Sequence, residues 1–428
     1  MRILRSNELL VLKVGQTVIQ KILARASGKD KVQIGEIVFP KAHRVLSHDN
    51  SASISQTFKK MGAQRVWNPE RIFIALDHAV PPPDSEKAKG HSIIRKFVKD
   101  QGIKYFYEGG NGICHQVFVE HLHALPGTVI YGSDSHTTTH GALGGVGIPI
   151  GRTEAASIWA LGKTWLKVPD TVKISLYGTL RKDVFAKDVI LAIIRKLTAE
   201  GLSYKAAEFH GDYITKTSIS ERMTLCNMTA EMGAKAGIVP ADTECLQFLK
   251  NSNEQIKPVF PDDDAEYSHE VEFDCSEIVP QLACPHKVDN VCDVSELPET
   301  RINVALLGTC TNGRLDDLAV AAKILNGKHV SEGVRLLVYP ASQKVLEAAL
   351  DTGYIKTIVK AGGQLNVPAC GPCLGAYGGV LAPGEKAISS ANRNFKGRMG
   401  CKEDTEIFLA SPATVVASAV AGEIVPPM

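Results

Sequence analysis

The sequence predicts an α/β protein with largely parallel sheets. Strand-like runs alternate with helical patterns through most of the 428 residues, which is typical of parallel sheets covered by helices. The composition, with 44% hydrophobic and 22% charged residues, is that of an ordinary globular protein. Because a single core rarely grows past about 250–300 residues, the length predicts two or three domains.

The N-terminal half contains two clear strands. Residues 71–76 read as a buried strand that ends at an Asp-His pair, and residues 128–131 form a second strand that ends near Asp-Ser-His. Further along, Ser218 and the glutamate three residues later form a capping box, which predicts a helix through Met232.

A domain boundary is predicted in residues 251–300, which are polar, acidic and interrupted by prolines. We therefore expect a short N-terminal extension over residues 1–14 and a C-terminal α/β domain over residues 299–428. The residues between them, 15–298, are expected to form two intertwined α/β domains.

The C-terminal part follows a regular order of elements. Strands are predicted at residues 302–307, 334–339 and 386–389, with helices at 315–325 and 343–350. In open α/β sheets, ligands bind outside the carboxyl ends of the strands. The residues that follow these strands are therefore the first candidates for a site.

Three cysteines and two arginines occupy such positions. Cys310 follows the first of these strands, and Cys370 and Cys373 follow a later extended segment. Arg393 and Arg398 come after the strand at 386–389, and each peptide also contains Gly or Pro. If the strands are neighbours, three thiolates and two guanidiniums meet at one place.

The cysteine spacing alone leaves three interpretations open. A Cys-x2-Cys pair fits a zinc site or a dithiol redox pair, although structural zinc normally needs four ligands and a redox pair gives Cys310 no role. His136 and His140 could complete a zinc site on paper, but they lie in a Thr-filled turn with no helical pattern. Three thiolates also fit an iron–sulfur cluster with one iron left open.

Several histidines and aspartates lie at or near predicted strand ends in the N-terminal half. They are Asp77-His78, His115 and Asp134-Ser135-His136. An aspartate beside a histidine can orient the imidazole and hold its proton, as general acid catalysis requires. A purely structural role remains open for each one alone, whereas their grouping beside Gly-rich turns favours catalysis.

The charge and the apolar runs argue against other classes. Lys and Arg total 48 and Asp and Glu 46, so a formal charge of +2 gives no reason to expect nucleic acid or a membrane surface as a partner. The longest apolar runs fall short of the ~20 residues of a spanning helix, and the start lacks the pattern of a signal peptide. We expect a cytoplasmic protein, in which clustered thiols point to metal or catalysis.

These peptides together resemble the aconitase superfamily from about Gly15 onward. Residues 308–312 and 369–373 are similar to its two cluster-ligand motifs, and residues 132–141 to its histidine signature. Asn392-Arg393-Asn394-Phe395 with Arg398 resembles its substrate-carboxylate motif. Residues 112–116 and 162–169 look most like the large subunits of isopropylmalate isomerases and homoaconitases.

The resemblance implies three-layer α/β/α domains around a central 4Fe-4S cluster held by Cys310, Cys370 and Cys373. It implies that the fourth iron binds the substrate hydroxyl and carboxylate, and that Asp77 with His78 protonates the departing hydroxyl. The remaining implied site residues are His115, Asp134, Ser135, His136 and Glu154 around the hydroxyl and water, and Asp49, Asn392, Arg393 and Arg398 around the substrate.

The implied activity is that of a hydro-lyase acting on a hydroxy di- or tricarboxylic acid, with isopropylmalate isomerisation in leucine biosynthesis as the first choice. A sister activity on homocitrate, dimethylmalate or citraconate is the alternative that the resemblance leaves open. Because the chain stops soon after Ser411-Pro412 opens a last helix, a separate small subunit is expected to carry the swivelling domain and the serine base. A cluster-free RNA-binding regulator is the alternative from another class, which the near-neutral charge disfavours.

Overall fold

A computed structural model describes residues 15–375 and 377–427. The extension predicted for residues 1–14 lies outside the described residues. Within them, three sheets with mainly parallel strands alternate with helices along the chain. The predicted α/β class is confirmed.

The strands are, in chain order, β1 (Ile37–Val38), β2 (Arg44–Ser47), β3 (Ile72–Ala75), β4 (Tyr105–Tyr107), β5 (Val129–Gly132), β6 (Val146–Pro149), β7 (Leu166–Lys167), β8 (Thr171–Tyr177), β9 (Ala206–His210), β10 (Ala236–Ile238), β11 (His269–Asp274), β12 (Gln281–Ala283), β13 (Val291–Asp293), β14 (Val304–Leu307), β15 (Arg335–Val338), β16 (Gln364–Leu365), β17 (Lys386–Ser389) and β18 (Glu406–Leu409).

The α-helices are α1 (Val18–Ala26), α2 (Ser51–Lys60), α3 (Ser85–Gln101), α4 (Cys114–Glu120), α5 (Arg152–Leu161), α6 (Ala186–Leu197), α7 (Asp212–Lys216), α8 (Ile219–Met228), α9 (Thr243–Phe248), α10 (Leu315–Leu325), α11 (Gln343–Asp351), α12 (Tyr354–Lys360) and α13 (Pro412–Ala421). Short 3-10 helices span Ser135–Leu143, Thr229–Met232, Val294–Glu296 and Gly371–Leu374.

Parallel pairing dominates all three sheets. The first sheet has the order β4-β3-β2-β5-β6 and the second β10-β9-β8-β11, and every pair in both is parallel. The third has the order β13-β12-β18-β17-β14-β15-β16, where only the pairs made by β12 are antiparallel. A small antiparallel pair, β1 and β7, stands apart from them.

Burial explains why these strands read as continuous apolar runs. All four residues of β3 and all four of β14 are buried. Strands covered on both faces need no polar side in their sequence, unlike strands that face water. In the third sheet, the fully buried Leu318 of α10 and Val415 of α13 belong to the same apolar cluster as the β14 residue Leu307.

The third sheet begins earlier along the chain than the predicted C-terminal domain. Strands β12 and β13 precede residue 299, yet β12 pairs with β18 at Ala283 and Leu409 and so extends this sheet. Sequence patterns do not reveal that the third sheet begins before residue 299, because β12 and β13 have only three residues each. The three predicted domain ranges stay a prediction.

Two predicted local structures differ in detail from the observed ones. The capping box at Ser218 is present, but the helix it opens ends at Met228 and continues as a 3-10 helix to Met232. The segment around His136 and His140, predicted as a turn without helical character, is instead a 3-10 helix that is mostly buried. Its threonine hydroxyls donate hydrogen bonds to backbone carbonyl oxygens, so a polar sequence becomes helical without an apolar stripe.

The folding pattern brings strand ends from two sheets to the same side. Strands β2, β3 and β5 of the first sheet are neighbours, as are β14 and β17 of the third. The carboxyl ends of parallel neighbours meet at one edge of a sheet. None of the described helices combines the length and the apolar character that crossing a bilayer would require.

Candidate active site

One cavity of about 480 Å³ collects the loops that follow these strands. Its polar lining comes from both sheets: His48, Asn50, His78, His115, Ser133, Asp134, Ser135, His136, Arg152, Cys310, Cys370, Cys373, Asn392, Arg393 and Arg398. The expectation that three cysteines and two arginines meet at one place agrees with this geometry, and the first sheet adds imidazoles to the same cavity.

The three cysteines lie in two loops that neighbouring residues hold in place. Cys310 is 8%, Cys370 6% and Cys373 2% exposed. The Cys370 backbone N–H donates to the carbonyl oxygen of Asp77 at 2.9 Å, which ties the cysteine loop to the Asp-His loop of the first sheet. The side-chain amides of Asn227 and Asn392 donate to the Cys310 sulfur at 3.3 and 3.2 Å.

Among the described residues, the three cysteine sulfurs do not form a group whose members all lie within 4.8 Å of one another. In the part of the chain that the structure describes, the only group of potential ligand atoms all within 4.8 Å of one another is on His48, Asp49, Asp77 and His78. A tetrahedral zinc with Zn–S bonds of about 2.3 Å needs sulfurs about 3.8 Å apart. The cysteine set therefore fits a larger cluster better than a single zinc ion.

The pKa values of the cysteine thiols depend on burial and on the charged groups around them. Burial raises the pKa of Cys310 to about 12, so it stays neutral at pH 7 when no cation is near. The pKa of Cys373 lies well below its ordinary value, because its sulfur accepts a hydrogen bond from the Cys370 thiol and faces the Arg398 guanidinium, which together outweigh burial. If all three cysteines bind a metal as thiolates, the positive charge of that metal would offset the cost of three negative charges at this depth.

His78 is held as a proton donor. Its Nδ1 lies 2.6 Å from an oxygen of the buried Asp77, whose other oxygen accepts from the Cys114 backbone N–H at 2.7 Å. The His78 ring stacks on His48 with centroids 3.8 Å apart. Although burial opposes protonation, the carboxylates of Asp77 and Asp134 raise the pKa of His78 well above its usual value.

Asp134 is the centre of a second hydrogen-bond network. One of its oxygens accepts from His115 Nε2 at 2.8 Å and from the His136 backbone N–H at 2.8 Å. Its other oxygen lies 3.5 Å from His78 Nε2, so both histidine networks share this carboxylate. These donors lower the pKa of Asp134 well below its usual value despite burial. Ser135 Oγ is 3.4 Å from His136 Nδ1 at the edge of the cavity.

Glu231, which was not predicted, links this network to the loop that carries Asn392, Arg393 and Arg398, called the arginine loop below. Its carboxylate accepts from His136 Nε2 at 2.8 Å and from Arg393 Nε at 2.9 Å, and its side chain is 8% exposed. Together with Asn227, it comes from the end of α8 and the 3-10 helix that follows. The only signal in the sequence is that Asn227 and Glu231 are two polar residues four apart near the end of a helix.

The arginine loop presents free donors to the cavity. Arg398 donates one guanidinium N–H to Cys373 at 3.4 Å, and its buried Nε has no partner among the described residues. Asn392 is fully buried and contacts the Cys310 sulfur. An anionic group in the cavity would satisfy the remaining donors.

Two predicted residues have other contacts. Asp49, expected to bind substrate, does not line the cavity, because its carboxylate accepts backbone N–H bonds from Asp77, His78 and Ala79 and a bond from His91. It instead shapes the loop that carries His78. Its neighbours His48 and Asn50 line the cavity in its place.

Glu154, expected near the water network, is likewise absent from the cavity lining. Its carboxylate accepts the Gly151 backbone N–H at 2.8 Å and so caps the start of α5. The exposed Arg152 on the first turn of that helix borders the cavity. It was not predicted, since an arginine at a helix start has no distinctive spacing.

Comparison with known proteins decides the family. The model of the aconitase family (aconitate hydratase) matches residues 20–302 and 295–422. This chain belongs to the aconitase family. Membership confirms the predicted resemblance and the prediction of a hydro-lyase.

Three relatives of the family illustrate the similarity. The chain is 45% identical to the 3-isopropylmalate dehydratase large subunit 1 of Methanopyrus kandleri, over 97% of this chain and 99% of the relative. It is 47% identical to a probable 3-isopropylmalate dehydratase large subunit of Methanothermobacter thermautotrophicus, with the same coverage. A probable methanogen homoaconitase large subunit of Methanosarcina mazei is 48% identical over 89% of this chain and 97% of its own length.

Among solved structures, the holo-form of aconitase X from Thermococcus kodakaraensis is similar to this chain. The TM-score is 0.49 with 14% identity, over 88% of this chain and 89% of the other.

Proposed function

We propose that this chain is the large subunit of a hydro-lyase that dehydrates and rehydrates a hydroxy di- or tricarboxylic acid, with interconversion of 3-isopropylmalate and 2-isopropylmalate as its reaction. The observation that carries the proposal is a single cavity that contains three cysteine thiols, an Asp-His pair and two arginines. The names of the relatives above support the substrate class, and homoaconitase chemistry is the alternative that the same names suggest.

We infer that Cys310, Cys370 and Cys373 hold a 4Fe-4S cluster. Their soft sulfur ligands, the amide donors on Cys310 and the spread of the sulfurs support this choice over zinc. When bound, such a cluster supplies a Lewis acid that makes the substrate hydroxyl a better leaving group.

The chain's own residues supply the proton and the binding groups. His78, protonated and oriented by Asp77, gives a proton to the departing hydroxyl and recovers it in the reverse direction. Arg393, Arg398 and Asn392 offer N–H donors to a substrate carboxylate. Loss of the proton next to a carboxylate leaves extra negative charge, which these fixed cationic donors stabilise.

The Asp134 network keeps the imidazoles in one arrangement. Because Asp134 is ionised and binds both His115 and the His136 backbone, it fixes the loop that borders the leaving hydroxyl. Glu231 extends this support to Arg393. In this proposal Asp49 and Glu154 act indirectly, by shaping the loops that carry His78 and Arg152.

The proposal includes a partner. Each relative described above is named a large subunit, and we propose that a small subunit with the swivelling domain completes the site. The mouth of the cavity has an exposed Arg152 and a Leu374 that is 45% exposed, which suits contact with such a subunit.

Anaerobic reconstitution with iron and sulfide tests the proposal, in the presence of the cognate small subunit and a panel of malate derivatives and homocitrate. We expect four iron atoms per chain and fastest turnover of isopropylmalate. Cys401→Ser, at a half-buried cysteine outside the cavity, is the control and should keep both. A protein that binds only zinc, or that lacks iron yet turns over a malate derivative, would refute the proposal.

The alternative function, that of an RNA-binding regulator, has a separate test. If the chain is an RNA-binding regulator, the cluster-free protein should bind RNA with an affinity that falls steeply with salt. We expect no such binding, because the chain carries a formal charge of only +2.

A further inference from the structure

Lys187 is a fully buried lysine in the first turn of α6, outside the cavity lining. Its Nζ donates to the backbone carbonyl oxygens of Ser390 and Ala391 at 2.9 and 2.5 Å. Two neutral carbonyls are weak compensation for an ammonium removed from water. The residue therefore needs a further source of stabilisation.

Its position makes the charge costlier still. A cation at the N-terminus of a helix opposes the helix dipole. The neighbouring Asp188 forms no hydrogen bond with Lys187, because its carboxylate accepts the backbone N–H groups of Phe185 and Gln281. Lys187 forms no ion pair with any carboxylate in the described part of the chain.

The groups that attract this charge most strongly belong to the three-cysteine site, ahead of the carboxylates of Asp188 and Asp317. Burial lowers the pKa of Lys187 to about 7, and the strongest opposing influence is the negative charge of Cys310 and Cys373 when they are thiolates. Ala391, whose carbonyl accepts from Lys187, also packs against Cys370 and Cys373.

The carbonyl groups that accept hydrogen bonds from Lys187 belong to the loop that carries Asn392. Ser390 and Ala391 come directly before Asn392, the amide that donates to the Cys310 sulfur. The Ser390 hydroxyl in turn accepts the Gly308 backbone N–H at 3.0 Å, two residues before Cys310. A group that holds these two carbonyls holds both loops relative to each other.

We propose that Lys187 is a positioning residue for the Asn392 loop and the buried counter-charge for Cys310 and Cys373 when they are thiolates. The inference rests on the proposed function, because it needs a cluster at those cysteines. A loss of positive charge near the cluster disfavours the reduced, more negative form, so the reduction potential should fall.

Three substitutions separate charge from hydrogen bonding. Lys187→Met removes both, Lys187→Gln keeps an N–H donor without the charge, and Lys187→Arg keeps the charge. Lys196→Met is the matched control, because Lys196 lies on the same helix and is exposed.

The readout is the midpoint potential of the reconstituted cluster, followed spectroscopically under anaerobic conditions, with iron content and thermal midpoint alongside. We expect the Met and Gln variants to show at least a tenfold change in the reduction equilibrium, about 59 mV lower for one electron. The Arg and Lys196→Met proteins should keep the wild-type potential. A merely structural lysine predicts instead that Gln restores wild-type behaviour.

A neutral variant that carries the full cluster at the wild-type potential overturns the role of Lys187. A folded neutral variant that loses iron, while the Arg variant retains it, supports the role. If neither neutral variant folds, the Arg variant decides: an unchanged potential supports the proposal and a lower one overturns it. A wild-type chain that takes up no iron and sulfide refutes the proposed function instead.

Discussion

Replacing Glu231 by glutamine should weaken both the fold and the activity. The buried carboxylate binds two donors, His136 Nε2 at 2.8 Å and Arg393 Nε at 2.9 Å. Both bonds reach the same carboxylate oxygen, Oε1, and Arg393 Nε also lies 3.0 Å from Oε2. A glutamine oxygen at Oε1 accepts without the negative charge, and its amide NH₂ then faces Arg393 Nε in place of Oε2. Each charge-assisted bond contributes about 1.5–3 kcal/mol, and removing one partner of a buried pair costs about 3–5 kcal/mol. We therefore expect Glu231→Gln to lower the free energy of unfolding by about 3 kcal/mol.

The effect on catalysis follows from the freed arginine. Without its carboxylate partner, Arg393 is no longer held toward the cavity, and misplacement of a binding group by about 1 Å can cost about 100-fold in rate. A 100-fold fall in kcat/KM corresponds to about 2.7 kcal/mol of lost transition-state binding.

Chemical denaturation measures the stability change, and steady-state kinetics of the reconstituted two-subunit enzyme measures the activity. Glu244→Gln is the control, since Glu244 is an exposed glutamate on α9. The reasoning is refuted if Glu231→Gln unfolds at the same denaturant concentration as the wild type and keeps its kcat/KM. A stable variant with normal iron content but weak substrate binding would show that Glu231 serves Arg393 alone.

Three further predictions concern the cluster, the acid and the pH dependence of stability. Cys373→Ser should abolish turnover and lower iron content with the circular dichroism spectrum unchanged; full activity would contradict it. His78→Ala should lower kcat by about 10²–10⁴-fold with a small change in KM, and a change confined to KM would argue against its role as the acid. Asp242 accepts two hydrogen bonds at 2.7 Å from the fully buried Arg222, which lowers its pKa despite burial. A carboxylate whose pKa is lowered by folding stabilises the fold above its unfolded pKa, and this stabilisation is lost on acidification. Asp242→Asn should therefore destabilise the protein at pH 7. The difference in urea midpoint between the variant and the wild type should shrink below about pH 4.

Some parts of the fold were predictable because local sequence encodes them. Strand β17 spans Lys386–Ser389 and α10 spans Leu315–Leu325, both with the predicted bounds. Buried parallel strands and capped amphipathic helices leave apolar runs and punctuating residues that a single sequence displays. Strands β12 and β13 are too short to leave such a pattern and are defined by their partners in the sheet.

The candidate site also contains residues that the sequence reveals and residues whose contacts only the structure reveals. The cysteines and the Asp-His pair stand beside Gly and Pro at strand ends, so their residue types and positions along the chain already suggest chemistry. Asp49 was expected to face the substrate and Glu154 the water network, but their carboxylates accept hydrogen bonds from nearby backbone N–H groups. The direction of a side chain depends on which donors surround it, and those donors come from residues that are neighbours in space as well as in sequence.

By itself, the sequence determined the α/β class, the family and the three cysteines, because short-range patterns and distinctive motifs carry that information. Only the tertiary structure placed Glu231 beside His136, Asn227 beside Cys310 and Lys187 beside the loop that precedes Asn392. Each of them comes from a helix far along the chain from the loop it contacts, and an isolated polar residue in a helix has no spacing that reveals its partner. Burial and the need to pair buried polar groups select those partners, and both depend on how the sheets and helices pack.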